Sequence, residues 1–175
     1  MTLLLALLSV QVPDLPVVRG ELSFDARATL GAFTGRTTAL GGRITGAPTL
    51  AGVRGTIEAP TATLVTGNGR RDRDMWKVLE VERFPTMRFV LDSIVASPQQ
   101  GDSIPAELRG RLTIHGVTRD ATFVGAIRHR APRWSFRGRT LVDVRDYAVG
   151  GLSKLFGAFR MQPEIAVNVE ITGDP

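Results

Sequence analysis

The stretch RWSFRGRTLVDV, residues 133–144, decides the fold. Every second residue, Trp134, Phe136, Gly138, Thr140, Val142 and Val144, is apolar or small, and Arg133, Ser135, Arg137 and Arg139 stand between them. A period of two sends successive side chains to opposite faces, so this segment is a strand with one dry and one wet face. The pattern recurs outward in both directions. Leu22, Phe24, Ala26, Ala28 and Leu30 alternate with Glu21, Ser23, Asp25, Arg27 and Thr29. Leu108, Gly110, Leu112 and Ile114 alternate with Glu107, Arg109, Arg111 and Thr113. Near the end, Ile165, Val167, Val169 and Ile171 interleave with Glu164, Ala166, Asn168, Glu170 and Thr172. Weaker strand signals cover 36–45, 53–65, 87–95 and 117–128, with Gly and Pro at the joints, for about eight strands in all.

One segment breaks the period. In RRDRDMWKVLEVERFP, residues 70–85, Met75, Trp76 and Leu79 share a helical face, and Asp72 and Asp74 stand where a helix N-terminus favours negative charge. This spacing predicts a short helix that Pro85 ends. A second helical turn is expected over 152–156. The longest loop is ASPQQGDSIP, residues 96–105.

Strands with one oily face must hide it, in a sandwich or a closed barrel, and closure also removes aggregation-prone edges. The expected fold is therefore all-β: an eight-stranded antiparallel β-barrel with one or two short helices. A barrel of this size is either filled by side chains or holds one small ligand. The inward positions include Ala26, Ala28, Ala59, Gly110, Gly125 and Gly138, and this smallness favours an apolar cavity.

Composition agrees with one globular domain. The chain has 175 residues, 43% hydrophobic and 22% charged, which excludes a disordered chain and a bundle of membrane helices. It has no cysteine, which excludes disulfides, thiolate metal sites and a cysteine nucleophile. The net charge of +5 is almost all arginine, Lys77 and Lys154 being the only lysines. These arginines are dispersed and lack interleaved aromatics, so no nucleic-acid surface is read from them. The short cluster Arg70, Arg71 and Arg73 is a solvated turn or an anion contact. The apolar run of residues 3–10 is too short to span a bilayer and has the length of a signal-peptide core, although no basic residue precedes it. The chain is accordingly divided into a leader over 1–18 and a single barrel over 19–175.

Two stretches carry a resemblance: TGNGRRDRDMWKVLEVERFPTMRF, residues 66–89, and GRLTIHGVTRDATF, residues 110–123, joined by LVDVRDYAV, residues 141–149. Together they resemble the YceI-like family of bacterial polyisoprenoid-binding proteins. The helix departs from the family pattern, which commonly has His-Leu after the RD pair where this chain has Arg73, Asp74, Met75 and Trp76. The resemblance implies a lipocalin-like barrel, usually periplasmic or secreted, whose apolar tunnel holds an isoprenoid lipid for transport or storage. That lipid is a polyisoprenoid, a quinone or a polyprenyl phosphate. A homodimer and a peripheral membrane contact are compatible with it.

Such a ligand needs apolar contact, worth roughly 25 cal/mol per Å² removed from water, rather than a catalytic constellation. The ligand-binding candidates are Phe24, Leu30, Phe33, Leu64, Met75, Trp76, Leu79, Phe89, Leu112, Ile114, Phe136 and Phe156, each with plain core packing as its rival role. Arg70, Arg71 and Arg73 are candidates for a head group, arginine being suited to phosphate; the competing reading is that Arg71 and Asp72 fix the turn before the helix. His115 is read as a hairpin-turn residue and His129 as solvated. Neither has the neighbours of a metal site. No cofactor motif, nucleophile–base pair or metal cluster is read, so a non-enzymatic binding module leads. The alternative is a hydrolase or isomerase of a small apolar substrate in the same barrel, and a third reading is a basic module docking on anionic lipid headgroups.

Overall fold

Each alternating run forms a strand in the computed structural model, which describes residues 11–29, 31–150, 153–154 and 159–175, with backbone only at 153, 154 and 159. The barrel strands are β1 (Leu15–Ala28), β2 (Gly31–Thr45), β3 (Arg54–Pro60), β4 (Thr86–Ala96), β5 (Ile104–Ile114), β6 (Val117–Arg130), β7 (Arg133–Asp143) and β10 (Glu164–Asp174). Two-residue strands β8 (Ser153–Lys154) and β9 (Phe159–Arg160) pair with each other outside the barrel. All barrel neighbours are antiparallel, and the sheet closes in the order β1-β10-β7-β6-β5-β4-β3-β2. The ring is sealed by β1 on β10, from Val17 opposite Asp174 to Asp25 opposite Ala166.

Register converts alternation into a shared interior. Phe24 lies opposite Val167, Leu22 opposite Val169, Ile171 opposite Phe136 and Phe123 opposite Leu108, all on the inner face. In β4 the apolar spacing changes from two to three between Leu91 and Ile94. A bulge absorbs the extra residue and keeps both side chains buried. The turn between β5 and β6 is His115–Gly116, with φ of 51° and 74°, the doubly left-handed geometry that matches strand twist.

Connections at one end close the barrel. Val12 and Ala47 exchange backbone hydrogen bonds of 3.0 and 2.9 Å, and the Asp14 carboxylate accepts from the Gly46 amide at 2.8 Å. These contacts hold Val12, Leu15 and Val18, all buried, beside the short 3-10 helix Leu50–Gly52, Val53 and Trp134. Only about 60 Å³ remains open among them. The barrel therefore begins before residue 19: residues 15–18 belong to β1, and Val18 is 2% exposed. The two prolines at 13 and 16 hide this strand start from a reading based on periodicity.

The opposite end carries the helix. α1 (Gly69–Val78) connects β3 to β4 after a 3-10 turn, Thr61–Thr63. The Asn68 side chain caps it, accepting from the Arg70 and Arg71 amides. A further 3-10 turn, Val144–Tyr147, follows β7. The helical turn expected over 152–156 is not formed at 153–154, which are strand, and the rest of it lies outside the described residues. Among the described residues no helix is long and apolar enough to cross a membrane.

Candidate functional site

Three faces of α1 have three destinations, because residues advance about 100° per position. Arg71, Asp74, Met75, Val78 and Leu79 turn toward the barrel interior. Asp72 and Trp76, four residues apart, turn toward the preceding loop: the Asp72 carboxylate accepts from the Thr66 amide at 2.8 Å and hydroxyl at 2.6 Å, and the Trp76 indole donates to the Leu64 carbonyl at 2.9 Å. Arg73 and Lys77 turn to solvent, and Arg70, also exposed, stands between them and the mouth and borders the cavity. Asp72 is buried, so its role exceeds a favourable charge near a helix start. Asp72→Ala is expected to cost about 3 kcal/mol, since hydrogen bonds to a charged group contribute about 1.5–3 kcal/mol each. Asp72→Asn, which keeps one acceptor, should recover part of that in chemical denaturation.

Beneath the helix, the barrel encloses a cavity of about 980 Å³. Of the ligand-binding candidates, Phe24, Phe33, Leu64, Met75, Leu79, Phe89, Leu112, Ile114 and Phe136 line it. So do Leu22, Leu40, Ile57, Met87, Leu108, Phe123, Val167 and Val169, which were not among the candidates. The alternation places Leu22, Leu108, Val167 and Val169 on the dry face, and that signal identifies them. Leu30 and Phe156 lie outside the described residues. Trp76 does not line the cavity; its indole N–H is committed to the Leu64 carbonyl, which holds the ring on the loop side of the helix. Arg73 likewise points away from the cavity, on the outer arc of α1.

The polar lining residues are Asn68, Arg70, Arg71 and Asp74, at the helix, and Glu58 with Arg88, an ion pair near the mouth ends of β3 and β4. Arg71 reconciles its two readings. Its Nε donates to the Thr66 hydroxyl at 2.8 Å and its Nη2 to the Thr66 carbonyl at 3.3 Å, fixing the turn, and its guanidinium carbon lies 4.4 Å from the Phe33 ring centre. Nη1 has no hydrogen-bond partner among the described residues, and Arg71 borders the cavity at its helix end.

The interior is open for a reason other than small side chains leaving space. An added Cβ at Gly35, Gly110 or Gly138 would strike the ring of Phe24, Phe89 or Phe136 respectively. The glycines thus let phenylalanine rings lie against the wall, and the centre stays clear.

His115 joins three segments at the mouth. Its Nε2 is 2.7 Å from the Glu80 carboxylate, its Nδ1 3.3 Å from the Tyr147 carbonyl, and its ring 4.5 Å from that of Phe84. His129 is exposed and stacks on Trp134 with centroids 4.2 Å apart. Burial pushes the Tyr147 phenol above its ordinary value, and neighbouring Asp146 adds to the rise. The folded state therefore holds this proton more tightly than the unfolded chain. Its stabilisation is complete below about pH 10, the free phenol value, and is lost as pH climbs through the raised one. Tyr147 is the only tyrosine, so phenolate absorbance should report one titration, late and coupled to loss of folded signal.

A model of the YceI-like domain matches residues 17–173. Among solved structures, Burkholderia cenocepacia BcnA superposes with a TM-score of 0.73 at 14% identity, covering 88% of this chain and 96% of its own. A polyisoprenoid binding domain from Saccharophagus degradans, implicated in plant cell wall breakdown, gives 0.70 at 16% identity, covering 92% and 99%. At such identities the likeness concerns the fold. A UPF0312 protein of Pseudomonas putida strain F1 is 27% identical over 103 residues, 54% of this chain and 52% of the relative. The corresponding protein of Pseudomonas syringae pv. tomato is 28% identical over the same length and the same shares. The chain thus spans about half the length of the curated relatives it matches. The domain match, by contrast, runs from the third residue of β1 to the last but one of β10 and takes in the helix and the whole lining of the cavity; the chain belongs to the YceI-like family.

Proposed function

We propose that the barrel takes the chain of an isoprenoid lipid into its lumen, shields it from water, and stores or transports it without chemical change. One observation carries this reading: the lumen of about 980 Å³ is apolar through its depth, and its polar side chains gather at the helix end. An apolar chain with a polar head matches that division, the chain gaining roughly 25 cal/mol for each Å² it removes from water. Arg71, whose Nη1 has no hydrogen-bond partner among the described residues, and exposed Arg70 both border the cavity at its helix end and are our candidates to meet a phosphate or quinone oxygen. The Saccharophagus degradans domain supports the ligand class.

The test is organic extraction and mass spectrometry of protein purified without detergent. A stoichiometric isoprenoid is expected. Its repeated absence, with no uptake of added quinone or polyprenyl phosphate, would overturn the proposal and favour an enzyme of a small apolar substrate. The proposal also places the protein in the periplasm or outside the cell, which fractionation checks. Its elution mass in the same preparation decides between monomer and homodimer.

A further inference from the structure

We infer that the outer face of α1, together with Val65, docks on an anionic lipid bilayer and holds the tunnel mouth against it. The inference rests on the carrier reading, and it names the surface from which cargo is exchanged. Arg70, Arg73 and Lys77 fall within an arc of roughly 60° on α1, given about 100° per residue. All three are exposed, and none makes an ion pair among the described residues. Many arginines of the barrel wall are paired instead. Arg88 pairs with Glu58, Arg109 with Glu107, Arg111 with Asp92, Arg133 with Asp174 and Arg137 with Glu170. Arg128 and Arg130 share Asp102, whose carboxyl the Arg130 hydrogen bond holds below its usual range. Much of the cationic charge on β4 to β7 is thus locally neutralised. Arg19, Arg27, Arg43, Arg54, Arg119 and Arg139 are exposed without an ion pair among the described residues but are spread over β1, β2, β3, β6 and β7, whereas Arg70, Arg73 and Lys77 share one arc of a single helix beside the mouth.

The same helix presents Met75, Val78 and Leu79 to the cavity, so one short element has a cationic outer face and an apolar inner one. Beside its start, Val65 is a 43% exposed apolar side chain, and its backbone pairs with that of Arg36, another exposed arginine without an ion pair among the described residues. An apolar side chain beside an exposed arginine, next to a helix with a cationic outer arc, complements a bilayer of anionic headgroups over hydrocarbon. Each lysine or arginine near such a surface contributes about fivefold in binding. A bilayer on this face would also leave little water for a chain to cross between membrane and lumen.

The experiment is co-sedimentation of the full chain with phosphatidylcholine vesicles, with and without phosphatidylglycerol and free of isoprenoid. Binding to the anionic vesicles that weakens with salt is expected. R73A/K77A should bind about twenty-five-fold more weakly, two cations at about fivefold each. Neither residue lines the cavity, so its thermal melt and quinone uptake should match the parent. R133A/R137A, which removes the same charge from the far wall, should bind like the parent. The absence of cysteine permits a second readout: a polarity-sensitive dye on V65C should brighten on anionic vesicles, and the same dye on V124C, from the barrel wall, should not. Absent binding, equal losses in the two double variants, or a silent V65C label would each overturn the inference. Quinone uptake in solution is measured separately, so failed docking with intact uptake leaves the carrier reading standing, and the reverse result removes the cargo but keeps the docking face.

Discussion

Val169→Trp leaves the barrel folded and weakens uptake of an isoprenoid chain by at least about a hundredfold. Val169 lies on β10 between Leu22 on β1 and Gly138 on β7, half-buried and facing the lumen. An indole there projects into open cavity instead of packed core, so it meets little resistance, and its own burial offsets the lost valine contacts. Cargo fares differently. A chain stopped at this height forfeits the apolar contact beyond it, at about 0.8 kcal/mol per CH₂, and four lost carbons already exceed a hundredfold. Titration with a fluorescent prenyl analogue and a parallel melt separate the two effects. Unchanged uptake would show that the chain lies elsewhere.

Gly125→Val is expected to prevent folding, at a cost above about 4 kcal/mol. Gly125 of β6 faces Gly138 of β7, and a Cβ on it would overlap the Arg137 carbonyl oxygen and approach the Gly138 Cα. Both obstacles are backbone, so no side-chain rotation relieves them, and the two strands would have to separate. Gly41→Ala is the control. Its Cβ meets nothing closer than the Val18 carbonyl oxygen at 3.6 Å, and replacing a strand glycine with alanine should gain about 0.5–1 kcal/mol. Loss of soluble folded protein in the first and a raised melting temperature in the second would separate a steric requirement from glycine's general conformational cost.

These substitutions also show what the sequence made legible. The inner faces of β1, β5, β7 and β10 were readable because a period of two records burial directly, residue by residue. Leu40 and Ile57 were harder to place. A shift in register between β1 and β2 separates Leu40 from the phase of Thr37, and β3 is only seven residues long. Trp76 was assigned to the lumen because Met75 and Trp76 are adjacent on a ten-residue helix, whose rotation their spacing leaves undetermined. The buried Asp72 settles it, since Asp72 and Trp76 share one face and Met75 the other. Glycine was read as absence of bulk. Its effect depended on where the chain placed three phenylalanine rings, which no local pattern encodes.

The closed floor formed by Val12, Leu15, Val53 and Trp134 has a kinetic consequence. A linear apolar molecule in a blind tunnel enters and leaves through the same opening, tail first on arrival and head first on departure. Threading the leading end sets the arrival rate, and length scarcely alters it. Departure requires the whole inserted portion to be drawn out, so dwell time grows about fourfold with each further buried CH₂. That growth stops once the tail reaches Trp134, beyond which additional length stays outside. A carrier of this design would sort cargo by how long it remains, with the depth of the floor as the limit of its timing.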